Sequence, residues 1–490
     1  TEDNVIELDA LQARIVRVYA RYQSGGNTVS INEVKIYGEK AGTEVVQAKD
    51  VQVEDFEDSE YNVAITEDMV ISEVQGIIER RLGSQYVDWF AFDVAKNPQG
   101  TDYDYYEISE NNGKIMIKGN DGVSLATGLN YYLKQYLNVH ISQVGDQVKM
   151  PLEPVGLNGK TIYKETKLPV RYAYNYCTHS YSMAFWGEEE WQNELDWLAL
   201  NGVNVVLDIT GQEEVWRRFL MELGYTQDEA KDFISGPAYY AWAYMSNMSN
   251  YGGPVHNSWF EERVDLARKN QLKMRTLGMQ PILQGYSGMV PEDIESHDAN
   301  AKGKIIKQGQ WNGFQRPAML KTTESIYNEY AQKFYQIQKE VYGDVTDYYA
   351  TDPFHEGGIT GGMDPSDISR IVLDEMIKFD SDAVWVIQSW QANPTPALLE
   401  GIGDRKEHAL ILDLWAEKDP RWDGESHYGY QFPEEFGDTP WVWCLLNNFG
   451  GRPGLKGYMD VLVNDFPTAY NNTEYMTGIG ITPEASYNNP

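Results

Sequence analysis

The chain has 490 residues, with 40 Lys and Arg against 74 Asp and Glu, giving a formal net charge of −34. Such a surface repels phosphate backbones and anionic membranes, which argues against a nucleic-acid partner. At roughly 150 residues per domain the length allows about three units, although an (α/β)8 barrel alone uses about 250. Cys177 and Cys444 are too few for a disulfide framework, and each sits in a strand-like run where a buried thiol is the default. No zinc site can be built from them, and His355-Glu356 fails the zincin pattern because position 359 is Ile. No metal or cofactor is therefore expected. No apolar run reaches the ~18 residues of a membrane span, and the acidic opening at Thr1 does not read as a signal peptide.

Taken in order, residues 8–38 alternate apolar and polar over two strands, 15–22 and 29–37, joined through Gly25-Gly26-Asn27. They resemble the closing strands of a galactose-binding-like β-sandwich, the fold of family 32 carbohydrate-binding modules. Two strands cannot bury both faces of a sandwich, so residues 1–40 are expected to be only the tail of such a module.

Residues 41–165 carry an α/β rhythm and are expected to form a small domain. The acidic run 54–60 reads as a solvated loop. A helix is expected over 70–82, and Asn112-Gly113 marks a hairpin between strands at 105–109 and 114–118. A second helix follows over 123–137, with Leu125, Leu129, Tyr132, Leu133 and Tyr136 on one face. No chemistry is assigned to this unit.

From residue 166 to 490 the pattern is strand then helix, repeated. Strands are expected over 170–175, 203–209, 280–284, 347–353, 383–388, 409–414, 441–446 and 478–481. Most are continuous apolar runs, as in parallel strands buried on both faces. Eight is the count of a TIM-type (α/β)8 barrel. The chain ends soon after the eighth strand, so this barrel is expected to be C-terminally truncated.

In a barrel of this kind the C-terminal ends of the strands line the active site. Those ends carry Asn175 and Cys177, Gln212 and Glu213, Gln284, Glu356, Trp390, Glu417, Asn447 and Asn448, and Glu484. Carboxylates converge with amides and aromatics, and 34 Tyr and 14 Trp supply faces for a ligand with C–H surfaces. Glycoside hydrolysis requires this combination: one carboxylic acid to protonate the leaving oxygen, and one carboxylate to attack or to activate water. Glu356 is the first candidate. Placement alone does not choose among Glu213, Glu356, Glu417 and Glu484.

The runs YNYCTHSYS at 174–182, DWLALNGVNVVLDITGQEEVW at 196–216, GPAYYAWAYMSNM at 236–248, VIQSW at 386–390, LLNNFGG at 445–451 and GIGITPEAS at 478–486 are similar to the α-N-acetylglucosaminidases of glycoside hydrolase family 89. The resemblance covers about 170–490. It implies a retaining exo-enzyme with two catalytic glutamates: Glu356 as acid/base, and Glu484, in the PEA motif, as nucleophile. His355 stands where the human-type sequence has Asn. The same resemblance implies that Asn175, Cys177, Trp242 and Trp390 hold a terminal N-acetylglucosamine; Asn448 is a further candidate, and Glu213 a weaker one bracing the site. It also implies a glycan substrate of mucin or heparan sulfate type and a secreted or cell-surface bacterial location. In an α-linked N-acetylglucosaminide the 2-acetamido group lies cis to the leaving group and cannot displace it from behind. An enzyme carboxylate must serve, and a double displacement expects the two carboxyls about 5–5.5 Å apart, with Glu356 in the less polar setting. The rival reading is a catalytically inactive carbohydrate-binding or adhesion protein.

Overall fold

The computed structural model describes residues 50–487 except 425, 451, 453 and 455. The strands expected over 15–22 and 29–37, with the whole 1–40 unit, lie outside the described residues. Residues 51–490 form one compact unit. Its first part is a four-stranded sheet, β1 (Phe90–Val94), β2 (Asp104–Asn111), β3 (Lys114–Gly119) and β4 (Ile162–Thr166), in the order β1-β3-β2-β4. β2 and β3 form the expected antiparallel hairpin, because Asn112 and Gly113 both take positive φ, 51° and 79°, as a two-residue turn requires. Helices Glu67–Arg81 and Gly122–Tyr132 cover the sheet, and the second extends through a π-turn at Leu133–Leu137 to the end expected of it. The acidic side chains between residues 54 and 60 are exposed, but Phe56 among them is buried, and Arg268 and Arg275 lie against its ring.

The second part is a closed barrel of eight parallel strands: β5 (Val170–Ala173), β6 (Val205–Leu207), β7 (Gln280–Gln284), β8 (Tyr348–Ala350), β9 (Val384–Ser389), β10 (Ala409–Asp413), β11 (Trp441–Leu445) and β12 (Met476–Ile481). Each pairs with the next in the chain, and β12 returns to β5. Every residue of β6, β10 and β11 is buried, since helices cover one face and barrel-filling side chains the other. Trp385, Trp441 and Trp443 are among the largest of these buried side chains.

The eight expected strands are the eight observed, with one informative difference at the fourth. β8 leaves the sheet after Ala350 rather than at residue 353. The buried Asp352 carboxylate captures the Gln388 backbone N–H at 2.9 Å and its side-chain amide at 2.7 Å, anchoring the chain to β9 by a side chain. Phe354 and Glu356 then take left-handed φ of 58° and 46°. Between β7 and helix Ser325–Tyr342 the chain makes an excursion at the C-terminal side of the barrel. It holds a small antiparallel sheet and the hairpin Gln310–Trp311 with Phe314–Gln315.

Candidate active site

Glu356 stands on the turn after β8, half-buried, with four N–H groups aimed at its carboxylate. Oε2 accepts from Trp311 Nε1 at 2.7 Å and from Asn247 Nδ2 at 3.0 Å. Oε1 accepts from Trp390 Nε1 at 3.0 Å and from Gln391 Nε2 at 3.4 Å. These come from three separate segments: the turn before helix Asn257–Leu277, the hairpin after β7, and the end of β9. The expectation that Glu356 occupies the less polar setting is not met, because the two indoles project their N–H groups inward to it.

Glu484 follows β12, and its segment is held to the helix Tyr176–Tyr181. Thr178 Oγ1 donates to the Pro483 carbonyl, and the Ser486 N–H donates to Ser182 Oγ at 2.9 Å. Its Oε2 accepts the Gly450 backbone N–H. Burial raises the Glu484 pKa above the usual carboxylate range; the Gly450 N–H and Arg452 oppose this, and the charge of Glu356 adds to it. The charge of Glu356 is therefore felt at Glu484. Both also act on Cys177, whose thiol is pushed well up, chiefly by burial and then by Glu484 and Glu356.

Around this pair the remaining candidates take different places. Cys177 is buried beside both carboxylates, and its backbone N–H donates to the Oδ1 of Asn175 at 2.9 Å, so that Asn175 caps the helix carrying it. Trp390, which reaches Glu356 directly, packs on Trp415 and Phe449 with ring centroids 6.1 and 6.0 Å apart. Trp242 meets Tyr181 edge-to-face at 5.2 Å, and Tyr181 in turn feels Cys177 and Glu484. Asn448 donates to the Arg452 carbonyl at 2.8 Å and shapes the turn that presents Gly450. Glu213, itself fully buried, belongs to a different cluster: its Oε1 accepts from Trp259 Nε1 at 2.6 Å, with Arg263, Tyr240 and Tyr244 around it.

Five groups at the site escaped the sequence reading: Trp311, Asn247, Gln391, Tyr181 and the Gly450 amide. Trp311 had a signal, since QWNGFQ at 310–315 repeats the Asn-Gly hairpin motif, and Asn312 and Gly313 take φ of 46° and 87°. Backbone amides carry no such signal. Among the described residues no group of three or more His, Cys, Asp or Glu is disposed to hold a metal ion. No helix among them is long and apolar enough to cross a membrane.

Two coupled carboxylates on opposite arcs of the barrel, with indoles beside them, can protonate one oxygen and attack one carbon of a ligand set between them. Residues 171–490 match the family model described as the alpha-N-acetylglucosaminidase (NAGLU) tim-barrel domain, and residues 72–155 match the alpha-N-acetylglucosaminidase (NAGLU) N-terminal domain. The chain is 32% identical over 390 residues to the alpha-N-acetylglucosaminidase of Homo sapiens, covering 76% of this chain and 50% of that protein. A family 89 glycoside hydrolase from Clostridium perfringens in complex with PUGNAc superposes with a TM-score of 0.84 at 44% identity, covering 90% of this chain and 50% of that one. A C. perfringens family 89 protein with two glutamates replaced by glutamine, in complex with its substrate GlcNAc-α-1,4-galactose, gives a TM-score of 0.85 at 43% identity over 92% of this chain and 51% of that one. The chain spans about half the length of these relatives.

Proposed function

The chain belongs to the α-N-acetylglucosaminidases of glycoside hydrolase family 89, and on that premise we propose that it releases non-reducing terminal α-linked N-acetylglucosamine from glycans by double displacement. The observation that carries this reading is that Glu356 and Glu484 follow opposite strands, β8 and β12, of one closed barrel, with the charge of Glu356 felt at Glu484. In the proposed cycle Glu484 attacks the anomeric carbon while Glu356 gives its proton to the glycosidic oxygen. The C–O bond to the aglycone breaks and a glycosyl ester forms on Glu484. Glu356 then takes a proton from water as the water oxygen attacks the anomeric carbon; the C–O bond to Glu484 breaks, the free sugar leaves, and both carboxyls are restored.

A sugar whose anomeric carbon faces Glu484 needs that carboxylate ionised, while Glu356, as the acid of the first step, delivers the proton to the departing oxygen. Asn175, Cys177, Trp242, Trp390 and Asn448 form the proposed sugar pocket, with the indole rings stacking on C–H faces; Glu213 braces the neighbouring Trp259. A pocket that encloses one terminal sugar accepts a chain end, and on that basis we propose exo action. The C. perfringens complex with GlcNAc-α-1,4-galactose supports an α-linked terminal residue as the substrate class. We extend the proposal to mucin-like or glycosaminoglycan-like glycans met outside the cell, or at its surface.

The test is proton NMR of an aryl α-N-acetylglucosaminide during hydrolysis by the protein, with Glu484→Ala alongside. The α anomer is expected first, and the variant is expected to release none. If the β anomer appears first, reaction is by inversion and Glu484 is not the nucleophile; no hydrolysis at all would move the reading to carbohydrate binding.

A further inference from the structure

Arg316 lies outside the candidate sugar pocket, buried at 3% exposure, immediately after the hairpin that carries Trp311. Its guanidinium is a hub for the loop of Glu356. Nη2 donates to the Glu356 carbonyl at 2.6 Å and Nη1 to the His355 carbonyl at 3.0 Å. Nη1 also reaches Asn247 Oδ1 at 3.2 Å and the Ser246 carbonyl at 3.4 Å. Asn247, so oriented, turns its Nδ2 to Glu356 Oε2. The backbone N–H of Arg316 is tied to the Gly309 carbonyl at 3.0 Å, which fixes the guanidinium relative to the Trp311 hairpin.

Two features make this more than packing. Glu356 has a φ of 46°, a left-handed backbone unfavourable for a residue with a Cβ, so something must hold it there. The carbonyls on either side of the His355–Glu356 junction are held by one rigid fork, which a lysine cannot reproduce because its ammonium is a single point. The Asn247 amide is also fixed in one sense: its oxygen faces Arg316, so its N–H faces Glu356. The guanidinium thus sets both the backbone of Glu356 and the direction of one of its carboxylate donors.

We propose that Arg316 is a positioning residue for the acid/base step, holding the Glu356 carboxyl where it can protonate the departing oxygen. The proposal rests on the acid/base role given to Glu356 above. A misplaced acid harms the reaction in proportion to how much the leaving group needs a proton. An aryl oxide that departs unaided is indifferent to it. Loss of general structure instead lowers turnover of every substrate alike.

The experiment measures kcat/KM of the full chain and of Arg316→Lys on two aryl α-N-acetylglucosaminides, one with a 2,4-dinitrophenyl and one with an unsubstituted phenyl leaving group. The ratio of the two values does not depend on how much of the variant is folded. For Arg316→Lys the phenyl substrate is expected to lose about 100-fold, near the lower end of what a general acid contributes, and the dinitrophenyl substrate under about fivefold. Arg316→Ala titrated with millimolar guanidinium is expected to regain part of the phenyl rate. An unchanged ratio in both variants would overturn the proposal. Failure of the unsubstituted protein to hydrolyse either substrate would overturn the function beneath it instead.

Discussion

At the residue scale, the pair Glu356 and Glu484 invites a test that reads each through the other. The charge of Glu356 is one of the influences raising the Glu484 pKa, after burial. Glu356→Gln removes that charge and keeps the side chain's shape and one acceptor oxygen. The Glu484 pKa should then fall toward the ordinary carboxylate value. With a dinitrophenyl leaving group, which needs no acid, the acidic limb of kcat/KM should move to lower pH in Glu356→Gln than in the unsubstituted protein. The phenyl substrate should lose ~10²–10⁴-fold in the same variant. An acidic limb that stays in place would mean that Glu484 does not govern it. Glu356 and one of its donors, Trp390, were legible in the sequence because strand ends are where barrels present chemistry, but the other donors were not. Asn247 and Trp311 lie in excursions between strands, where neither period 2 nor period 3.6 fixes which way a side chain points.

At the scale of elements, the eight barrel strands were readable because burial on both faces writes a continuous apolar run, and β10 and β11 are buried throughout. Their ends were less readable, and the ends govern the site. At the end of β11 the buried Glu417 carboxylate accepts the Leu446 N–H at 3.2 Å and the Asn447 N–H at 2.7 Å, pinning the chain just before the turn that offers the Gly450 amide to Glu484. Burial raises the Glu417 pKa from 4.5 to about 7, with the neighbouring Asp413 adding to it and the two amides opposing. Its folded pKa is thus above its unfolded one. The stability it contributes is fully present below about 4.5 and is lost as pH rises through about 7, a change of about 3 kcal/mol at 1.36 kcal/mol per unit. Glu417→Gln cannot ionise. Its urea-unfolding midpoint should fall less between pH 5 and pH 8 than that of the unsubstituted protein; parallel pH dependences would assign the effect to another group.

For the molecule as a whole, the small sheet domain and the barrel are locked by one buried anion that no periodicity announced. Asp196, with no exposed surface, sits on helix Glu188–Leu200 between β5 and β6. It takes both Nε and Nη2 of Arg80 from the helix Glu67–Arg81, at 2.8 and 2.7 Å, and the Lys273 ammonium at 2.6 Å from helix Asn257–Leu277. Arg80 and Lys273 lie 116 and 77 positions from Asp196 in the chain, and to the sequence Asp196 is one more acidic residue on a helix. Removing it leaves the buried Lys273 ammonium facing Arg80, whose side chain is 26% exposed; breaking a fully buried pair costs about 3–5 kcal/mol, and the water at Arg80 lowers that here. Glu73 tempers the loss, since it lies 2.7 Å from Arg80 and 3.4 Å from Lys273 and can still neutralise part of their charge. Asp196→Ala should therefore fall near the lower end of that range, about 3 kcal/mol by urea unfolding. The double variant Asp196→Ala with Glu73→Ala should lose more than the sum of the two single changes, because each carboxylate is the other's reserve. Additive losses would mean that the two cations relax into water once Asp196 is gone, and that the apolar contacts between the sheet domain and the barrel hold the interface without this ion cluster.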